Sequence, residues 1–92
     1  MKMRLTFDAA KNDRNIVERK LPFALVASLD WETAQIQENT RKDYGEVRYS
    51  VAAFLADRLY IAIITIRKDA THVISFRKAN NREVKSYGRV HR

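Results

Sequence analysis

The sequence predicts an α+β domain built on a mainly antiparallel sheet, with two N-terminal helices on one face and a short C-terminal helix. Three observations point to it. Helix-start signals stand at Asp8 and Pro22, the apolar residues from Gly45 onward recur with a period of two, and Asn80 with Glu83 has the spacing of a helix cap. The chain's 92 residues leave room for one domain, spanning 1–92.

Met3 to Phe7 alternates and predicts a first strand. Asp8 is placed to cap a helix from Ala9 to Arg19, because its carboxylate can accept from otherwise unpaired backbone N–H groups. The apolar stripe of that helix is thin: Ala9, Ile16 and Val17. Pro22 suits the first turn of a second short helix, Pro22 to Leu29, with Phe23, Leu25, Val26 and Leu29 facing a core. Thr33 to Gln37 alternates as a short strand. From Gly45 onward Glu46, Arg48 and Ser50 point one way and Val47, Tyr49 and Val51 the other. A turn at Asp57-Arg58, a strand from Leu59 to Ile66 that is apolar on both faces, a turn at Lys68 to Ala70 and a last strand from Thr71 to Lys78 complete a meander with the doubly apolar strand at its centre. Strict alternation in the last strand puts Thr71, Val73, Ser75 and Arg77 on one face and His72, Ile74 and Phe76 on the other. The final helix follows Asn80 or Asn81 and is expected to stop at Gly88.

Composition narrows the function. Hydrophobic residues make up 46%, with only two glycines and one proline, which is the composition of a compact globule. No cysteine is present, which excludes disulfides and thiolate metal sites. The segment Met1 to Arg14 lacks the apolar run of a signal peptide, and Leu59 to Ile66 is too short to cross a bilayer, so the expected location is the cytoplasm, with no membrane partner. Eighteen Lys plus Arg against eleven Asp plus Glu give a formal charge of +7. That excess favours a polyanionic partner, either nucleic acid or an acidic protein that masks its site, over lysine carried only for solubility.

Two charged strand segments carry the expected site. Asp43-Tyr44-Gly45-Glu46-Val47-Arg48-Tyr49 and Ile74-Ser75-Phe76-Arg77-Lys78-Ala79-Asn80 send Glu46, Arg48, Ser50, Thr65, Arg67, Ser75 and Arg77 toward one sheet face. Arg48 and Arg77 are the candidates for clamping a phosphate, since a planar guanidinium offers paired donors and stays charged when partly desolvated. Glu46 reads either as a general base or as the ion-pair partner that orients the arginines. Tyr87 reads as an acid or hydrogen-bond donor, or as a residue packed on the sheet. Lys11, Arg19, Arg67 and Lys78 are candidate contacts for backbone phosphates, with solvated surface cations as the alternative. His72 reads as a core histidine and His91 as part of the tail; neither has the spacing of a metal site, and no cofactor is expected.

With Phe7-Asp8, Lys11 and Asn15, then Leu21-Pro22-Phe23, the two segments above, and Glu83 with Tyr87, the chain resembles the BrnT family of RelE-like type II toxins over nearly its whole length. The resemblance implies a RelE-like fold and a metal-independent endoribonuclease that cleaves RNA and inhibits growth, with Glu46, Arg48, Arg77 and Tyr87 as its catalytic set. It also implies a BrnA-like antitoxin carrying a ribbon-helix-helix module, a heterotetrameric complex, and contact with operator DNA only through the antitoxin. The family often has Lys-His-Gly after its first helix and tryptophan at the position of Phe7; here Glu18-Arg19-Lys20 stands in the first place, so Arg19 can supply only charge there. The alternative is a non-enzymatic RelE/ParE-like toxin, or a basic nucleic-acid-binding module, acting by contact alone.

Overall fold

The computed structural model describes residues 3–40 and 44–90; Asp43, which opens the first charged segment, and His91 lie outside them. Five strands form one mixed, mostly antiparallel sheet in the order β1-β5-β4-β3-β2. These are β1 (Leu5–Phe7), β2 (Gln35–Asn39), β3 (Arg48–Leu55), β4 (Arg58–Arg67) and β5 (Ala70–Lys78). Two α-helices, α1 (Ala9–Arg19) and α2 (Asn81–Val90), and a 3-10 helix, Phe23–Ser28, are the other elements among the described residues.

The meander follows the expected order, with β4 at the centre between antiparallel β3 and β5. Lys68 and Asp69 both take positive φ, 50° and 66°, the backbone of a tight hairpin whose twist matches its strands. The turn between β3 and β4 falls at Ala56 and Asp57, one residue earlier than expected, with Ala56 at φ 55°. Other boundaries move as well. The first strand is shorter and pairs in parallel with β5, the third strand starts at Arg48 and not at Gly45, and β2 sits two residues later than the alternation placed it.

One face of the sheet holds the core. Val51, Ala53, Ala62, Ile64, Val73 and Phe76 pack there against Leu21, Phe23, Val26 and Leu29. Phe7 meets Phe23 edge-on at 5.9 Å. The expected second helix is thus a 3-10 helix that covers this face, with Pro22 immediately before it.

Helix α1 departs from the expectation of two helices sharing that face. Its only buried residue is Asn15, while Val17 is 74% exposed. Polar side chains hold it instead. Asn12 Oδ1 accepts from Phe23 N at 2.8 Å, and Asn15 Nδ2 donates to Leu21 O at 2.9 Å and Phe76 O at 3.0 Å. Asp8 accepts from Lys11 N as expected, and Lys20, at φ 60°, ends the helix in the left-handed conformation.

The second face is divided. Helix α2 lies over its Phe54, Leu59 and Ile61 end, where Leu59 and Ile61 are buried and Tyr87 meets Phe54 edge-on at 5.4 Å. The capping box is formed as expected: Asn80 Oδ1 accepts from Glu83 N, and Glu83 Oε1 accepts from Asn80 N, both at 2.9 Å. Gly88 does not stop the helix, which continues to Val90.

A β-bulge corrects the predicted face assignment of β5. Ser75 pairs with Ile63 but Val73 pairs with Ile64, so Ile74 is an extra residue and the alternation resets across it. Val73 therefore joins Phe76 in the core, and His72 turns to the opposite face beside Thr65. The expected apolar face of Val47, Tyr49, Ile74 and Phe76 holds for Tyr49 and Phe76; Val47 precedes β3 and is 50% exposed.

Candidate functional site

The half of the second face that α2 leaves open is read directly from the strand register. One row runs Asn39, Arg48, Thr65, His72 and Thr6; the next runs Gln37, Ser50, Ile63 and Ser75; the third ends on Ile61 and Arg77. A cleft bordered by Asn39, Thr40, Ser50, Ile63, Arg77 and Glu83 opens over the second and third rows; Arg48, Thr65 and His72 of the first row do not border it.

Glu46, Arg48 and Arg67 come together at one end. Gly45, at φ 73°, turns the chain just before β3 in a conformation that glycine adopts without strain. Glu46 then accepts from Arg67 through both carboxylate oxygens, at 3.0 to 3.2 Å, and from Arg48 Nε at 3.3 Å. Arg67 first, and Arg48 with it, holds the Glu46 carboxyl below its ordinary range. The Arg48 guanidinium lies 3.8 Å above the Tyr44 ring, a cation–π contact that fixes its plane. Under it, Thr65 donates to Val47 O at 2.6 Å. Two guanidiniums share one carboxylate, so the cluster keeps net positive charge.

Arg77 stands apart from that cluster. Its register position lies four residues along the sheet and two strands across from Arg48, a Cα separation of about 16 Å. It forms a two-pronged pair with Glu83, Nη1 to Oε1 and Nη2 to Oε2, both at 2.8 Å. Glu83 raises the Arg77 pKa further, and Arg77 lowers that of Glu83. Tyr87 joins neither group: it is 8% exposed and its hydroxyl donates to Thr33 O at 2.8 Å.

Of the candidate backbone contacts, Arg67 belongs to the Glu46 cluster. Arg19, with its Nη1 donating to Asn15 Oδ1 at 2.8 Å, borders a surface hollow with Arg77 and Lys78. Lys11 and Arg14 border a second hollow with Ile74 and Ser75. A basic border thus runs from α1 across the β5 edge to Arg77.

His72 is the residue that sequence reasoning assigned to the wrong environment. Its Nδ1 and Thr6 Oγ1 share a hydrogen bond of 2.9 Å. Burial first, then Arg67 and Lys11, pushes the imidazole pKa down, against the weaker pull of Glu46 and Asp8. No residue type marks a bulge inside Val73-Ile74-Ser75, so alternation alone could not place it. Among the described residues no three His, Asp or Glu side chains gather in a metal-holding group, and no helix is long and apolar enough to cross a membrane.

No curated protein matches the chain by sequence. The family model described as ribonuclease toxin, BrnT, of type II toxin-antitoxin system matches residues 7–83. That span takes in α1, the whole meander and the Glu46, Arg48, Arg67 and Arg77 positions, and the chain belongs to the BrnT family of ribonuclease toxins.

Proposed function

We propose that this ribonuclease toxin is a metal-independent endoribonuclease of RelE-like architecture that acts in the cytoplasm, cleaving RNA to stop translation and growth. A BrnA-like ribbon-helix-helix antitoxin holds it in a heterotetramer and provides the only contact with operator DNA. The observation that carries the reading is the open half-face, with Arg48 and Arg67 at one end and Arg77 at the other. Single-stranded RNA lying across the Ser50, Ile63 and Ser75 row meets a guanidinium on either side.

Attack of a 2′-hydroxyl on the adjacent phosphate builds negative charge on the phosphorane oxygens, and fixed cations stabilise that charge without reorganising. Arg48 is held in place by Tyr44 and Glu46, and Arg77 by Glu83, so both are preorganised. Glu46 serves as the orienting partner; two guanidiniums keep it ionised and make it a weak base. Tyr87 anchors α2 through Thr33 and Phe54. Lys11, Arg19 and Lys78 contact the flanking backbone phosphates.

The burial of Tyr87 and the distance of Arg77 from Glu46 favour, as a second reading, a toxin that acts by contact alone. One experiment separates the two. The purified chain is incubated with RNA in excess chelator and the product ends are determined; cleavage to 2′,3′-cyclic phosphate and 5′-hydroxyl ends supports the enzyme. Intact RNA alongside growth arrest supports the contact reading, and chelator-sensitive cleavage overturns the metal-independent mechanism.

A further inference from the structure

We propose that His72, oriented by Thr6, is the general base that takes the proton from the attacking 2′-hydroxyl, an assignment that rests on the ribonuclease reading above. The reaction needs a group on the open face that is uncharged at neutral pH and able to accept a proton. Glu46 is committed to Arg67 and Arg48, and the Tyr87 hydroxyl to Thr33 O. His72 stands in the same register row as Arg48, two strands away across Thr65. Thr65 is 2% exposed with its hydroxyl donated to Val47 O, so a phosphate engaged by Arg48 lies above this row, not on Thr65, with the imidazole on its other side.

Two features orient that ring. The β-bulge at Ile74 turns His72 out of the core, and β1 pairs in parallel with β5 so that Thr6 is the register partner of His72. When Nδ1–H donates to Thr6 Oγ1, the lone pair lies on Nε2, which has no hydrogen-bond partner among the described residues. The groups facing the ring are Arg67 from β4, Glu46 from the segment before β3, Lys11 from α1 and Asp8 from its cap. Burial and the two cations outweigh the two carboxylates, so the ring is neutral at pH 7. Lys11 and Arg67 also supply charge for the phosphate that brings the 2′-hydroxyl to Nε2.

In the step itself the 2′-O–H proton passes to Nε2 while O2′ bonds to phosphorus. The P–O5′ bond breaks, and O5′ leaves with the bonding electron pair and takes a proton from water. The products are a 2′,3′-cyclic phosphate and a 5′-hydroxyl; the imidazolium returns its proton to solvent.

The test compares wild type, His72→Gln and Thr6→Val on a short RNA oligonucleotide in chelator, with circular dichroism and thermal melting to verify the fold. His72→Gln lowers kcat by about 100-fold or more, the size of a lost general base, with little change in KM. The acid limb of the wild-type kcat/KM profile has its midpoint below 6.5 and disappears in the variant. Thr6→Val keeps the limb but lowers kcat. The imidazole resonances of His72 in wild type also shift on adding the same oligonucleotide with 2′-deoxy substitution at the cleavage site, which binds without reacting. A folded His72→Gln with wild-type kcat and an unchanged acid limb overturns the assignment and leaves the ribonuclease reading standing. Wild type that cleaves no RNA overturns both.

Discussion

Arg77 and Glu83 face each other fork to fork, two nitrogens on two oxygens at 2.8 Å, and the same Glu83 carboxylate accepts from the backbone N–H of Asn80. One carboxylate thus caps α2 and fixes the guanidinium at the edge of the open face. Arg77 Nη1 also donates to Lys78 O at 3.3 Å. Nε–H and the remaining Nη2–H stay available for a phosphate.

That arrangement predicts a large catalytic loss and a small structural one from Arg77→Ala. The pair is partly exposed, with side chains 37% and 28% accessible, so its stability contribution is at most about 1 kcal/mol. Arg77 lies at the other end of the face from Arg48 and His72, so its loss misplaces the RNA chain, which can cost about 100-fold in kcat/KM. Arg48→Ala removes a donor to the developing charge and is expected to cost about 2.7–4 kcal/mol, or 100- to 1,000-fold in kcat. Arg77→Lys should recover little, because an ammonium cannot engage Glu83 and phosphate with one rigid fork. Single-turnover cleavage and thermal melting on the same preparations check all three.

The ionisable groups predict acid destabilisation in two stages. The His72 pKa is lowered from 6.5, so the unfolded chain binds its proton first; the stability it contributes is present above pH 6.5 and is lost as pH falls through the folded value. Glu46 and Glu83 are lowered from 4.5, and their contribution is lost below that pH. Melting temperature measured from pH 8 to 3 should fall in both windows. His72→Gln should remove the upper decline and leave the lower one.

Asn15 predicts a third outcome. Its amide satisfies two backbone carbonyls, Leu21 O and Phe76 O, at the part of the β5 edge that β1 does not reach. Asn15→Leu leaves both without that donor and releases Arg19 from Asn15 Oδ1. Destabilisation of about 2–4 kcal/mol is expected, since a buried unsatisfied polar group costs about 1–3 kcal/mol. Denaturant unfolding measures it.

Local signals in the sequence account for much of this fold. Asp8 capping Lys11 N, the reciprocal Asn80 and Glu83 bonds and the doubly apolar strand each depend on residues close together in the chain, and each is where spacing placed it. Pairing between distant segments was less legible. The parallel match of Thr6 to His72 spans 66 positions, and the bulge at Ile74 has no residue signature, so His72 read as core. Alternation likewise drew one continuous polar face; Tyr87 and the rest of α2 cover its Leu59 and Ile61 end and halve it, and the strand register sets Arg77 apart from Glu46. Glu46 with Arg48 was legible because residues two apart in the chain stay within side-chain reach, even though Glu46 falls before β3 and not on it.

A type II toxin is made together with an antitoxin, and the open face sets how the two should associate. A chain of formal charge +7 whose open face carries Arg48, Arg67 and Arg77 attracts an acidic or amphipathic segment by the same field that attracts RNA. Association with the antitoxin is therefore expected to be fast and to slow as salt rises, because screening weakens long-range steering more than short-range packing. The ribbon-helix-helix module proposed above for the antitoxin would dimerise, so two antitoxins should bring two toxins into a heterotetramer. Mass measurement on the co-purified pair checks the stoichiometry, and stopped-flow mixing at increasing salt checks the steering. Reversing charge with Arg48→Glu and Arg67→Glu should lower the association rate and the RNA affinity together. A partner that binds this double variant as fast as wild type covers some other surface.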